Sequence, residues 1–139
     1  MKKLLLIFVI IALFSSCEEV GDLTRDKLNV IPVSPVSTLK YQGKFVPTSG
    51  ITVTGGTKIY LDTNQYKLEL DNFSISNGPD LKVYLSKSST PTEFVNLGNL
   101  NSTTIYSIPK SIVLSEYKYV LIHCQQYNHL FAVAQLIQN

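Results

Sequence analysis

Tyr66-Lys67-Leu68-Glu69-Leu70-Asp71-Asn72-Phe73-Ser74-Ile75-Ser76-Asn77-Gly78-Pro79-Asp80-Leu81-Lys82-Val83-Tyr84-Leu85-Ser86 is the stretch that decides the fold. Tyr66, Leu68 and Leu70 alternate with Lys67, Glu69 and Asp71, which is the period of two expected of a half-buried strand. Phe73 and Ile75 continue it past a bend. Asn77-Gly78-Pro79-Asp80 reads as a turn, because proline presets φ at a turn's second position and Asn, Gly and Asp suit the others. Leu81, Val83 and Leu85 then restart the alternation on the far side. Two strands joined by a tight connection are the unit of an all-β domain.

The flanks repeat this grammar. Further strands are expected at 44–46, 51–54, 58–61, 104–108 and 112–114, with Gly55-Gly56 as a hairpin turn between two of them. Tyr119-Val120-Leu121-Ile122-His123-Cys124 is apolar on both faces, so it reads as a central, covered strand. Gln125–His129 makes the next turn, and residues 130–137 supply the last strand. Eight Tyr, six Phe and many β-branched residues among few charges favour packed sheet over disorder. The expected fold is a small β-sandwich or partly closed barrel of short, mostly antiparallel strands.

The N-terminus has a different character. Met1-Lys2-Lys3 precedes an unbroken apolar run from Leu4 to Phe14, then Ser15-Ser16-Cys17. A spanning helix needs about 20 apolar residues, so this run is too short, and it reads as a secretory signal peptide. Ser15-Ser16-Cys17 resembles the lipobox of bacterial lipoproteins, with Phe14 where that motif usually has Leu. The resemblance implies cleavage before Cys17 and diacylglycerol on its sulfur, a two-chain anchor that holds stably. Glu18-Glu19 resemble an acidic surface-export signal, so the expected place is the cell envelope outside the cytoplasm: the outer membrane, on its periplasmic or surface face. Residues 1–16 are then signal, 17–39 the lipidated cysteine and a flexible tether, and 40–139 one β domain.

Loss of the signal removes Lys2 and Lys3, which leaves ten basic residues against ten acidic ones. With no basic cluster, nucleic-acid binding has no electrostatic basis. Met1 is the one methionine, so a metal or haem site using a Met ligand is excluded from the mature chain. Cys17 being lipidated, Cys124 has no partner in the chain. Such a cysteine is buried and inert, paired between molecules, or chemically used. On a regular strand His123 and Cys124 point to opposite faces, whereas His129, across the turn, can return to either one. A thiolate with one imidazole holds a metal or a haem iron axially, but these ligands are too few for a closed zinc site. Asp80 is either a ligand or proton acceptor, or a turn residue bonding backbone amides. No base–orienter constellation marks an enzyme.

The stretch from Phe73 to Ser86 is similar to the central motif of the DM13 domain family. Gly43 and Phe45, Val53-Thr54-Gly55, Leu97-Gly98 with Leu100, and Tyr106, Ile108 and Pro109 agree with its flanks. So does the closing run Tyr119–Cys124 followed by Tyr127, Phe131, Ala132, Ala134 and Leu136. The resemblance covers about Tyr41 to Ile137. It implies an extracytoplasmic redox or electron-transfer module in which Cys124 acts as a bare thiol or as ligand to a prosthetic group such as haem. His123 stands where the family usually has Trp, immediately before the cysteine. Its partners would be the membrane, through Cys17, and an envelope redox partner. The competing reading is a non-catalytic binding module with a surface or envelope ligand, no cofactor, and Cys124 in its core.

Overall fold

The structure is a computed structural model that describes residues 36–139. The expected signal, the expected lipidation at Cys17 and most of the expected tether lie outside the described residues. Nine strands follow in order: β1 (Thr38–Pro47), β2 (Val53–Asp62), β3 (Gln65–Ile75), β4 (Leu81–Ser86), β5 (Phe94–Asn99), β6 (Ile105–Ser107), β7 (Tyr119–Cys124), β8 (His129–Gln135) and β9 (Ile137–Gln138). They form one antiparallel sheet in the order β5-β4-β7-β8-β1-β2-β3-β6, with β9 beside β1. Among the described residues a single 3₁₀ turn, Leu114–Glu116, stands in for helix. None of their helices is long and apolar enough to cross a membrane.

The sheet curls until its two end strands meet. β5 and β6 share no ladder. Instead the Tyr106 hydroxyl on β6 reaches the Asn99 carbonyl at the end of β5, at 2.9 Å, and shares its proton with Thr103 O at 3.1 Å. The result is a nearly closed barrel whose lumen is filled with side chains. Ile59, Leu68, Val83, Leu85, Val120 and Ile122 are wholly buried there, and each contributes roughly 1.5–3 kcal/mol by leaving water. Phe45 and Phe73 meet edge to face inside, centroids 5.1 Å apart.

Three expectations need correcting. Gly55-Gly56 is no hairpin turn: the strands expected at 51–54 and 58–61 merge into one, β2, and the glycines lie inside it opposite a bulge whose extra residue is on β3, at Asn72-Phe73. Gly55 has φ +87, and a Cβ there would stand 2.4 Å from Asn72 O, so only glycine fits. The actual β2–β3 hairpin turns at Thr63-Asn64. Residues 112–114 are not a strand, since the chain passes there into the 3₁₀ turn. Strand β5 was not expected; it is short and rich in Asn, and it forms as the edge partner of β4. The first strand, β1, begins at Thr38.

Candidate functional site

The site lies at the end of β7, which runs between β4 and β8 in the middle of the sheet. Alternation sends Val120, Ile122 and Cys124 into the core and turns Tyr119, Leu121 and His123 to the outer face of the sheet, where Leu121 and His123 are nonetheless buried. The β7–β8 register slips between Ile122 and His123, but the extra residue is Phe131 on β8, so β7 itself stays regular. His123 and Cys124 therefore face opposite ways. They do not form one site.

Cys124 is 1% exposed. Its Sγ donates to the Pro79 carbonyl at 2.8 Å, and the next residue's amide, Gln125 N, donates to the Asp80 carbonyl at 3.1 Å. Two consecutive carbonyls of the Gly-Pro-Asp turn thus clamp two consecutive residues at the end of β7. The turn can do this because Asp80 adopts φ +55, a left-handed conformation that aspartate tolerates better than most residues. Gly78 completes the cover. A Cβ on it would fall 2.6 Å from the Phe131 ring, so the turn lies directly on that ring.

Asp80 is no ligand to the thiol. Its carboxylate pairs with Lys82 Nζ at 2.6 Å, and Lys82 also reaches the Asn99 side chain. His129 is the cross-strand partner of Cys124 and so belongs to the same sheet face. Its ring stands edge-on to Phe131, centroids 5.4 Å apart, and is exposed at the mouth of the barrel. The thiol proton is given to Pro79 O, an acceptor that cannot serve as a general base, so no nucleophile–base pair is set up.

His123 lies on the outside, yet it is only 5% exposed. Its ring tilts against Tyr84 at 5.4 Å, and Tyr84 stacks on Phe94 at 4.1 Å. Its Nδ1 has no hydrogen-bond partner. Burial holds the imidazole below its ordinary pKa; the Asn128 side chain opposes this and nearby His129 adds to it.

Among the described residues no three of His, Cys, Asp and Glu come together as ligands of one metal would. The thiol sits in the cluster that also holds Leu81, Ile122, Phe131 and Ala132. That packing leaves Sγ no face for a planar macrocycle, so Cys124 as placed does not fit a haem. A surface depression of about 270 Å³ lies elsewhere, over Gly56 and bounded by Gln42, Lys44, Lys58, Asp71 and Ile137.

The chain that carries this strand-ending buried cysteine, clamped by the Gly-Pro-Asp turn between β3 and β4, matches one family, described as electron transfer DM13, over residues 45–136. The chain belongs to the DM13 family. The matched residues run from Phe45 near the end of β1 to Leu136 after β8, so they take in β2 to β8 whole. Comparison with curated proteins and with solved structures gave no match. Sequence reasoning missed Phe131, Gly78 and Lys82 as parts of the DM13 site. The Asn-Gly-Pro-Asp turn marked its place, but nothing local tells that Phe131 covers it.

Proposed function

We propose that this DM13 chain is a lipid-anchored redox module of the bacterial cell envelope, with the Cys124 thiol as its working group. The observation that carries the reading is the thiol's place, next to the barrel mouth and under one hydrogen-bonded turn. The family's description as electron-transferring supports a redox role. The signal-like N-terminus ending at Ser15-Ser16-Cys17 supports the anchor and the placement outside the cytoplasm.

A lone thiol exchanges electrons by forming a bond to a partner's sulfur. The Cys124 thiolate attacks a disulfide of an envelope partner, one S–S bond forms at Sγ, and the other partner sulfur leaves as thiolate. Buried thiols are inert, so the exchange needs the Pro79 turn to open. Openings of this kind are local and far cheaper than global unfolding.

The test is a redox titration of the full-length lipoprotein in membranes, read by mass after alkylation, beside Cys124→Ser. A wild-type chain that moves reversibly between free thiol and mixed disulfide supports the reading. A thiol that stays unlabelled and unpaired at every potential, in a folded chain, overturns it. The anchor has its own test. Cys17→Ala is expected to release the protein from the membrane fraction, and a mutant still acylated and membrane-bound would refute the anchor.

One observation favours a second reading. Sγ is both buried and hydrogen-bonded, which is how a structural core cysteine looks. Under that reading the domain is a binding module for an envelope or surface ligand, and Cys124→Ser keeps its function.

A further inference from the structure

The segment between β3 and β4 carries a group that neither the fold nor the redox reading uses. Asn77 precedes Gly78, and no other asparagine of the chain precedes a glycine. Asn77 is exposed and lies outside the ladders, in the five residues between Ile75 and Leu81. Its neighbours are tied down: Ser76 N donates to Thr52 O at 2.9 Å, and Pro79 O holds Cys124 Sγ. Among the described residues neither the Asn77 amide nor the Gly78 N–H makes a hydrogen bond. Three asparagines in and after β5 differ. Asn96 Oδ1 is held by Gly98 N at 2.9 Å, Asn101 Oδ1 by Thr103 N at 2.8 Å, and Asn99 by Lys82.

We propose that Asn77-Gly78 is a site of spontaneous covalent modification, and that its products release the Cys124 thiol from the Pro79 carbonyl. The Gly78 nitrogen attacks Asn77 Cγ, a five-membered imide closes, and ammonia leaves carrying the proton of the attacking nitrogen. Water then opens the ring at either carbonyl, giving aspartate or isoaspartate. The net change is amide plus water to carboxylic acid plus ammonia, and no oxidant or enzyme is needed. Glycine favours the attack because no Cβ screens its nitrogen, and the reaction breaks no existing hydrogen bond.

The consequence follows from packing. Isoaspartate routes the main chain through the side-chain carbon and lengthens it by one methylene. Gly78 cannot take up the extra length, because the Phe131 ring already fills the space 2.6 Å from where a Cβ would be. The displacement therefore falls on Pro79, whose carbonyl stands 2.8 Å from Sγ. A new carboxylate also appears beside the turn. The covalent step holds whether or not Cys124 carries electrons.

The experiment ages the full folded chain in mildly alkaline buffer and maps residue 77 by peptide mass and by isoaspartate methyltransferase labelling. Thiol labelling kinetics are followed in parallel. Asn77→Gln, whose ring closure is far slower, is the control, with circular dichroism to show that it folds. The expected result is acid formation at residue 77, with labelling of Cys124 about tenfold faster in the isoaspartate fraction. That factor corresponds to one lost hydrogen bond of about 1.4 kcal/mol. Asn77 unchanged in the folded chain, while the denatured chain converts, overturns the site. Conversion with an unaltered labelling rate overturns the release, and so does equal acceleration in Asn77→Gln.

Discussion

Cys124 and His123 are neighbours on one strand, about equally buried, and their polar atoms meet opposite fates. The thiol faces the core and is satisfied by a carbonyl from a turn built to reach it. The imidazole faces outward, under an aromatic stack, and its Nδ1 is left without a partner. The difference shows that burial alone does not say whether a polar group stabilises. A satisfied group contributes about 1 kcal/mol, and an orphaned one costs about 1–3 kcal/mol. On the inner face the chain invests in fixing the thiol. On the outer face it tolerates a cost.

The contrast breaks hardest at the turn. Gly78→Val drives a branched side chain into Phe131 and should lower stability by about 2–3 kcal/mol, read from the denaturation midpoint. A loss below about 0.5 kcal/mol would mean that the turn does not press on the ring, and the cover over Cys124 would go with it. Next in size, Cys124→Ala removes the thiol hydrogen bond and leaves a small void, for a loss of about 1–2 kcal/mol. If it stabilises instead, the Pro79 contact is not a working bond.

The sign should reverse on the other face. His123→Phe keeps an aromatic ring against Tyr84 and removes the orphan, so stability should rise by up to about 1 kcal/mol at neutral pH. Its pH profile sharpens the point. The folded imidazole has a lowered pKa, so the unfolded chain takes up the proton first as the medium acidifies. The His123 contribution is therefore level above the unfolded value of about 6.5 and falls as pH drops from there toward the folded pKa. His123→Phe should flatten the wild-type slope in that window; an unchanged slope would show that His123 does not titrate against burial. The smallest effect belongs to Asp80→Asn, which keeps the left-handed turn and removes a partly exposed ion pair with Lys82. About 0.5 kcal/mol is expected in thermal denaturation, and more than about 2 kcal/mol would make the pair a principal support of the clamp.

Much of this was readable in the residues. The alternation in 66–70 and 81–85 gave β3 and β4, and the doubly apolar run at 119–124 gave a central strand. Period two also separated His123 from Cys124, since neither residue needs long-range information to choose a face. What failed was decided at a distance. A Gly-Gly pair suits a turn and a strand interior facing a bulge equally, and only the approach of the Asn72 carbonyl to Gly55 selects the second. Strand β5 has weak β propensity and is recruited by the β4 edge. The thiol's partner is a backbone carbonyl, and every residue has one, so no side-chain pattern could single out Pro79. The pairing of Cys124 with His129 depends on the register that the Gln125–Asn128 turn imposes.

The seam at Tyr106 has a consequence for how the barrel comes apart. Every other neighbouring strand pair must surrender a run of ladder bonds to separate, whereas β5 and β6 are joined at one phenol oxygen. Unzipping should start there, with amide hydrogens of β5 and β6 exchanging earliest among the strands. The barrel behaves as a strap closed by a single stud, and Tyr106→Phe would unfasten it without touching a core methyl group.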